Sequence, residues 1–245
     1  MADPAPCLKD IDIVILAGGL GTRIKDTLGA TPKLLAPIDG TPFLEFVINR
    51  LKLFGARRLV LGLGHLAGAV EQYLAHHPPQ GISVATSVEP EPLGTAGALR
   101  HVAGLIESDP VMIMNGDSFI AADLCGFLEA HQQSGAVASV LAAEIEDTQR
   151  FGRLKLSPQG RIDAFLEKDP NQGGAGVINA GVYLFSSGMM DKITAMNGPS
   201  LERDVFEAMP PDTLNAVIGE APFIDIAPLH DLARAGDVLR PFRPA

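Results

Sequence analysis

Cysteine is scarce: Cys7 and Cys125 are the only two in 245 residues. Two thiols cannot build a metal cluster by themselves. One bridge between them is arithmetically open, but nothing in the pattern marks a disulfide scaffold, so the expectation is reduced thiols in a cytoplasmic chain. Basic residues are also in short supply, with 19 Lys+Arg against 29 Asp+Glu and a formal charge of −10. That balance argues against nucleic acid or an anionic membrane as partner, since both need an exposed basic surface. An anionic substrate stays open, because a few cations reverse the sign inside one cleft. Long apolar runs are missing: the longest begins at Ile13 and breaks at Gly18, far too short to span a bilayer. The start, MADPAPCLKDID, has no cationic stretch leading into an apolar one, so no secretory signal is expected. No Ser/Gly-rich linker, repeat or charge block divides the chain. With 47% hydrophobic and 20% charged residues, it reads as one globular domain over 1–245 with a sizeable core.

Short Val- and Ile-rich runs alternate with amphipathic stretches. Strands are expected at Ile11–Ala17, Arg58–Leu63, Ile82–Val88, Val111–Asn115 and Ala136–Ile145. Helices are expected between them at Pro42–Phe54, Ala67–His76, Gly94–Leu105 and Asp123–Ser134. That order implies parallel strands covered by helices on both faces. After Asp147 the pattern loosens. Phe151–Leu156 and Arg161–Leu166 flank the turn signal Ser157-Pro158-Gln159-Gly160, a hairpin expectation. Gly176–Phe185 reads as a strand, Ser200–Met209 as a helix, and Phe223–Ile226 as a last strand before a C-terminal helix. The first part, about 10–145, is thus parallel, and the second, about 146–245, mixed.

The first strand runs into Leu16-Ala17-Gly18-Gly19-Leu20-Gly21-Thr22-Arg23. Such a loop, at the carboxyl end of a first parallel strand, stands where open α/β sheets bind ligands, and glycines let a phosphate approach backbone N–H groups. It is not the dinucleotide fingerprint, because Ile24 stands where the third glycine belongs; the Gly-Lys-Ser/Thr of nucleoside-triphosphatase loops is absent too. Arg23, Lys25 and Pro32-Lys33 follow. Each cation alone reads as a solvated charge, whereas cations closely following a glycine cradle suit a polyphosphate.

LAGGLGTR with Pro32-Lys33 about ten residues on resembles the signature of the sugar-1-phosphate nucleotidyltransferases, the nucleoside-diphosphate-sugar pyrophosphorylases. EPLGTAGAL (Glu91–Leu99), NGDS (Asn115–Ser118), LEK (Leu166–Lys168), NAGVYLF (Asn179–Phe185), LERDVF (Leu201–Phe206) and FIDI (Phe223–Ile226) follow in that family's order. The resemblance implies a Rossmann-like three-layer α/β/α sandwich with a mixed, mostly parallel central sheet. It makes the first part nucleotide-binding and the second sugar-phosphate-binding. The implied reaction joins a nucleoside triphosphate to a sugar 1-phosphate and releases pyrophosphate. The attacking phosphate is ionised near neutral pH, so the enzyme has to gather two anions and stabilise a leaving group.

By this resemblance Arg23 and Lys33 are the catalytic cations, while Lys25 has no counterpart and reads as surface charge. Leu16, Ala17, Gly18, Gly19, Gly21, Thr22, Asn115 and Gly116 would line the nucleotide, with Leu93, Gly94 and Thr95 at the base. Asp117, after an apolar strand, and Asp225, an acid inside an apolar run, would hold Mg²⁺ as the cofactor. Glu167, Lys168, Asn179, Gly181 and Glu202 would face the sugar phosphate, although Glu202 suits a first helical turn equally well. His65, His76 and His77 are not spaced for a metal.

No glutamine lies in Val84–Leu99 to read uracil or thymine, whereas Glu89 and Glu91 precede the base loop. Guanine presents two adjacent donors that suit a carboxylate, so GTP is expected, with Glu89 the preferred reader. The nearest resemblance is to the D-glycero-D-manno-heptose 1-phosphate and mannose-1-phosphate guanylyltransferases. The chain departs from that pattern at Leu34, where the family usually has proline, and at Ala180, where the heptose group more often has glycine. A uridylyl- or thymidylyltransferase for another sugar, such as an N-acetylmuramate phosphate, and a non-catalytic binding regulator are the competing readings. A homo-oligomer is left open.

Overall fold

The computed structural model describes residues 6–19, 31–166, 173–210, 213–226 and 229–244, with 229–233 by backbone alone. Alternate side chains of β1 (Ile13–Ala17) enter different layers: Ile13 and Ile15 join one buried cluster, Val14 and Leu16 the other. A strand buried on both faces needs helices on both sides. The remaining strands are β2 (Pro37–Ile38), β3 (Thr41–Pro42), β4 (Arg58–Leu63), β5 (Ser83–Val88), β6 (Val111–Asn115), β7 (Ser118–Ile120), β8 (Ala138–Ile145), β9 (Arg153–Leu156), β10 (Ile162–Leu166), β11 (Gly176–Phe185), β12 (Leu214–Ile218) and β13 (Phe223–Asp225). The α-helices described are α1 (Phe43–Leu53), α2 (Ala67–His76), α3 (Gly94–Val102), α4 (Leu124–Ser134), α5 (Ser187–Ala195) and α6 (Leu229–Leu239).

The central sheet runs β5-β4-β1-β6-β11-β8-β12, with β9 attached to β11 at Ile178 and β10 beyond it. β5, β4, β1 and β6 are mutually parallel; β11 runs against β6 and β8, and β12 lies parallel to β8. The expected sandwich with a mixed, mostly parallel sheet is what is found. On the Ile13 side α1, α2, α4 and α6 supply Phe43, Val70, Phe127 and Leu239. On the Val14 side α3, α5 and the segment 201–206 supply Leu99, Ile193, Leu201 and Phe206. Phe43 and Leu99 are fully buried, each contributing about 1.5–3 kcal/mol of transfer free energy.

Beside the sheet, β7 pairs antiparallel with β13, more than 100 residues later in the chain, in a two-stranded ribbon. Arg50 of α1 holds this ribbon from below. Its guanidinium lies 4.7 Å from the Phe119 ring centroid and donates to the Ala122 carbonyl at 2.5 Å. Burial pushes its pKa down to about 9, so the facing Phe54 and Phe242 rings and the nearby Asp123 carboxylate are its main compensation.

Three expectations need correction. Cys7 and Cys125 are bridged, not reduced. Leu8, fully buried, donates its N–H to the Phe54 carbonyl, and Asp123 caps α4 by accepting from the Cys125 N–H. Those contacts help set the two Cα atoms 5.7 Å apart, within bridging range. Ser200–Met209 is not an α-helix but a π-turn at Leu201–Val205 followed by a 3-10 turn at Phe206–Ala208. Pro199 and Pro210 bound the stretch closely, and the Phe206 N–H is shared between the Glu202 and Leu201 carbonyls. The expected helix Gly94–Leu105 is α only to Val102 and ends in a 3-10 turn. The β9–β10 hairpin forms as expected. No helix among the described residues is long and apolar enough to cross a membrane.

Candidate functional site

The carboxyl ends of β1 and β6 lie side by side, with the Gly116 N–H donating to the Leu16 carbonyl at 2.8 Å. Asn115 and Gly116 therefore stand next to Leu16 and Ala17. Leu16 and Gly116 are buried, Ala17 and Asn115 half-buried, and Gly19 faces open space. Gly21, Thr22, Arg23 and Lys25 lie outside the described residues, as do Glu167 and Lys168.

Glu89 closes the β1 loop on its other side. It is buried, its N–H donates to the Leu63 carbonyl, and its Oε2 accepts from the Leu93 N–H at 3.1 Å. A Cβ on Gly18 would overlap this carboxylate, so a larger residue there would push the Glu89 side chain aside. Glu91, by contrast, is exposed. Past Leu93, the Gly94 and Thr95 start of α3 lies against the segment 199–201: the Ala96 N–H donates to the Pro199 carbonyl at 2.8 Å, and Thr95 Oγ1 accepts from the Leu201 N–H at 2.9 Å.

Lys33 reaches the site from a 3-10 turn (Lys33–Leu35) seated by buried Leu34. Its Nζ lies 2.7 Å from Asp117 Oδ2, joining residues 84 apart in sequence. Asp225 comes from β13: it pairs in register with Ser118, and the next N–H, that of Ile226, donates to the Asp117 carbonyl at 2.9 Å. The ribbon thus sets the backbones of the two acids against each other. Among the described residues no cluster of three or more His, Cys, Asp or Glu side chains could hold a metal alone. Two carboxylates are nonetheless the donor set Mg²⁺ takes when substrate phosphates complete its shell, and one already pairs with an ammonium cation.

A second polar group lies across β11. A register shift between Asn179 and Val182, with Gly181 at φ +74°, brings the strand up against Asn115 and Ser118; a Cβ on Gly181 would stand 2.7 Å from both of their side chains. Asn179 Oδ1 accepts from the Gly181 N–H, and its Nδ2 donates to the Tyr183 hydroxyl at 2.8 Å and, more weakly, to Glu202 Oε1 at 3.4 Å. The Tyr183 hydroxyl donates to Glu202 Oε1 at 3.1 Å, and Ser200 Oγ donates to Oε2 at 3.2 Å. Burial first, and the Glu202 charge second, drive the Tyr183 pKa well above its ordinary value, so it stays a neutral donor. Asn179, Gly181 and Glu202 are therefore brought together in one network. The Tyr183 hydroxyl, Ser118 and Ser200 were not singled out from the sequence, although Tyr183 lies within the Asn179–Phe185 motif.

An open α/β sheet with a glycine turn, a Lys–Asp pair and a polar cluster on neighbouring loops is a Rossmann-like α/β architecture. The profile of the family described as nucleotidyl transferase matches residues 12–218, and the chain belongs to that family. It is 31% identical over 232 residues to the mannose-1-phosphate guanylyltransferase of Mycobacterium tuberculosis, covering 94% of this chain and 63% of that protein. It is 30% identical over 226 residues to the D-glycero-alpha-D-manno-heptose 1-phosphate guanylyltransferase of Aneurinibacillus thermoaerophilus, covering 92% of this chain and 96% of the relative. Among solved structures, HddC from Yersinia pseudotuberculosis superposes with a TM-score of 0.83 at 30% identity, covering 95% of this chain and all of HddC. HddC complexed with GMP-PN superposes with a TM-score of 0.82.

Proposed function

We propose that the protein is a sugar-1-phosphate guanylyltransferase, joining GTP to D-glycero-D-manno-heptose 1-phosphate or mannose 1-phosphate and releasing pyrophosphate. The observation that carries this reading is the Lys33–Asp117 pair just past the carboxyl end of β6, with Asp225 on the adjoining strand. The similarity to named guanylyltransferases and to a GMP-PN complex supports the base and sugar class.

In this reading the glycine loop and Arg23 grip the triphosphate, and Glu89 accepts from the guanine N1–H and N2–H. Asn179 and Glu202, held by Tyr183, take sugar hydroxyls; Glu167 joins them, and Lys168 pairs with the sugar phosphate. Asp117 and Asp225 would hold Mg²⁺, which supplies charge neutralisation between the α-phosphate and the attacking phosphate. Lys33 leaves Asp117 for the phosphates as ligands arrive, moving a positive charge toward the departing pyrophosphate. A sugar phosphate oxygen then attacks the α-phosphorus in line, and no enzyme nucleophile is needed.

The test is pyrophosphate release across a matrix of four nucleoside triphosphates and several sugar 1-phosphates, with Mg²⁺. Turnover confined to GTP with a manno-configured sugar phosphate is expected. Exclusive use of UTP would overturn the base assignment, and no turnover with any pair would favour a binding module. Arg23→Ala should abolish turnover without unfolding the protein.

A further inference from the structure

The amino end of a helix leaves backbone N–H groups in need of acceptors, and beside a nucleotide site these are often met by ligand oxygens. In α3 a protein carbonyl supplies one of them. The Ala96 N–H is taken by the Pro199 carbonyl at 2.8 Å, and Gly94 lies flat against Pro199, where a Cβ would overlap the same carbonyl. Thr95 Oγ1 accepts from the Leu201 N–H at 2.9 Å. At the far end of this seam, Arg100 Nη2 donates to the Gly198 carbonyl at 2.6 Å, while its Nη1 is buried without a hydrogen-bond partner among the described residues. α3 is therefore stitched along more than one turn to the segment 198–201.

That segment leads directly into the π-turn that carries Glu202. Leu201 is fully buried in the cluster that holds Leu99 of α3. Glu202 faces the other way, into the Tyr183–Asn179–Ser200 network. Asp204 fixes the turn by accepting from the Ser200 N–H at 2.7 Å. A π-turn of this kind is uncommon and recurs at functional sites.

We propose that Thr95 is a positioning residue for the sugar side of the site: its hydroxyl holds Leu201, and through it Glu202, so α3 and the acid move as one body. This rests on the guanylyltransferase reading. It moves Thr95 from the nucleotide-contact role that the motif resemblance implies to the sugar side of the site.

The experiment is steady-state kinetics with Mg²⁺, GTP and whichever manno-configured sugar 1-phosphate the unmodified protein accepts. Thr95→Val keeps the shape and removes the acceptor. The KM for the sugar phosphate should rise about fivefold, the scale of one lost hydrogen bond, with the KM for GTP within about twofold; Thr95→Ser should restore both. Arg100→Met removes a second stitch along with an unpartnered buried donor, and should shift the same KM in the same direction even if the Thr95→Val protein does not fold. A rise in the GTP KM alone, equal rises in both constants, or no change would overturn this positioning role while leaving the catalytic reading intact. Absence of turnover in the unmodified protein would remove both.

Discussion

Replacing Lys33 by Met separates a catalytic cation from a structural one. At 2.7 Å the pair with Asp117 is worth about 1.5 kcal/mol in a water-like medium and about 6 at an effective dielectric of 20. The side chains are 23% and 40% exposed, so solvent screening and entropy reduce the net stabilisation to about 0–1 kcal/mol. Melting followed by circular dichroism should accordingly fall by no more than about 2–4 °C in a chain of this size. The rate effect should be far larger: a lost charge contact with the leaving group costs about 100- to 1,000-fold in kcat. In the proposed chemistry Lys33 and Mg²⁺ compete for the Asp117 carboxylate, so the Mg²⁺ concentration for half-maximal turnover should also fall in the variant. A kcat within about threefold of the unmodified protein would refute the reasoning, since that is far below one lost leaving-group contact.

Other outcomes follow from neighbouring groups. Glu89→Gln keeps an acceptor for the Leu93 N–H but sets a donor against guanine donors; kcat/KM for GTP should fall about 10- to 100-fold and the UTP rate should gain, and unchanged GTP preference in a nucleotide panel would exclude Glu89 as reader. Burial holds the His131 pKa below its ordinary 6.5 despite Asp109 nearby, with Nδ1 2.8 Å from Ser139 Oγ. The unfolded chain therefore takes up a proton first as the pH drops below about 6.5, and stability falls from there until the folded protein binds the proton too. Urea titrations should show this slope flattened in His131→Gln; an identical slope would assign it to other groups. The Cys7–Cys125 bridge closes a loop of 118 residues, for which chain entropy gives about 4–5 kcal/mol. Dithiothreitol should lower the melting temperature by roughly 10 °C on that scale, and no change would mean the thiols are unpaired.

The layers were legible because Ile13, Val14, Ile15 and Leu16 form an unbroken apolar run, which marks a strand buried on both faces. Of the shorter strands Phe223–Ile226 was read, whereas β7 and β12 were not. Ser118-Phe119-Ile120 is three residues long and becomes a strand only through its partner Phe223-Ile224-Asp225, which local periodicity cannot reveal. Leu201 to Met209 carries a helical apolar spacing, but the Phe206 N–H is shared between the Glu202 and Leu201 carbonyls, so the first turn widens to a π-turn and a 3-10 turn follows it. Motif residues such as Asn115, Asn179 and Glu202 could be read one by one. Their pairings could not: Lys33 with Asp117 and Thr95 with Leu201 depend on which strands lie side by side. The cysteine bridge escaped for the same reason, since two thiols in sequence say nothing about the distance between them.

The proposed chemistry requires Asp117 and Asp225 to act as one cation site across the β7–β13 ribbon. The most direct measurement is a Mg²⁺ titration of pyrophosphate release in Asp117→Asn, Asp225→Asn and the double variant. If the acids act as a unit, each single change costs at least about 100-fold in rate and raises the half-saturating Mg²⁺, and the double variant is no worse than the poorer single one. Multiplying losses in the double variant, or an unchanged Mg²⁺ requirement in either single variant, would contradict it.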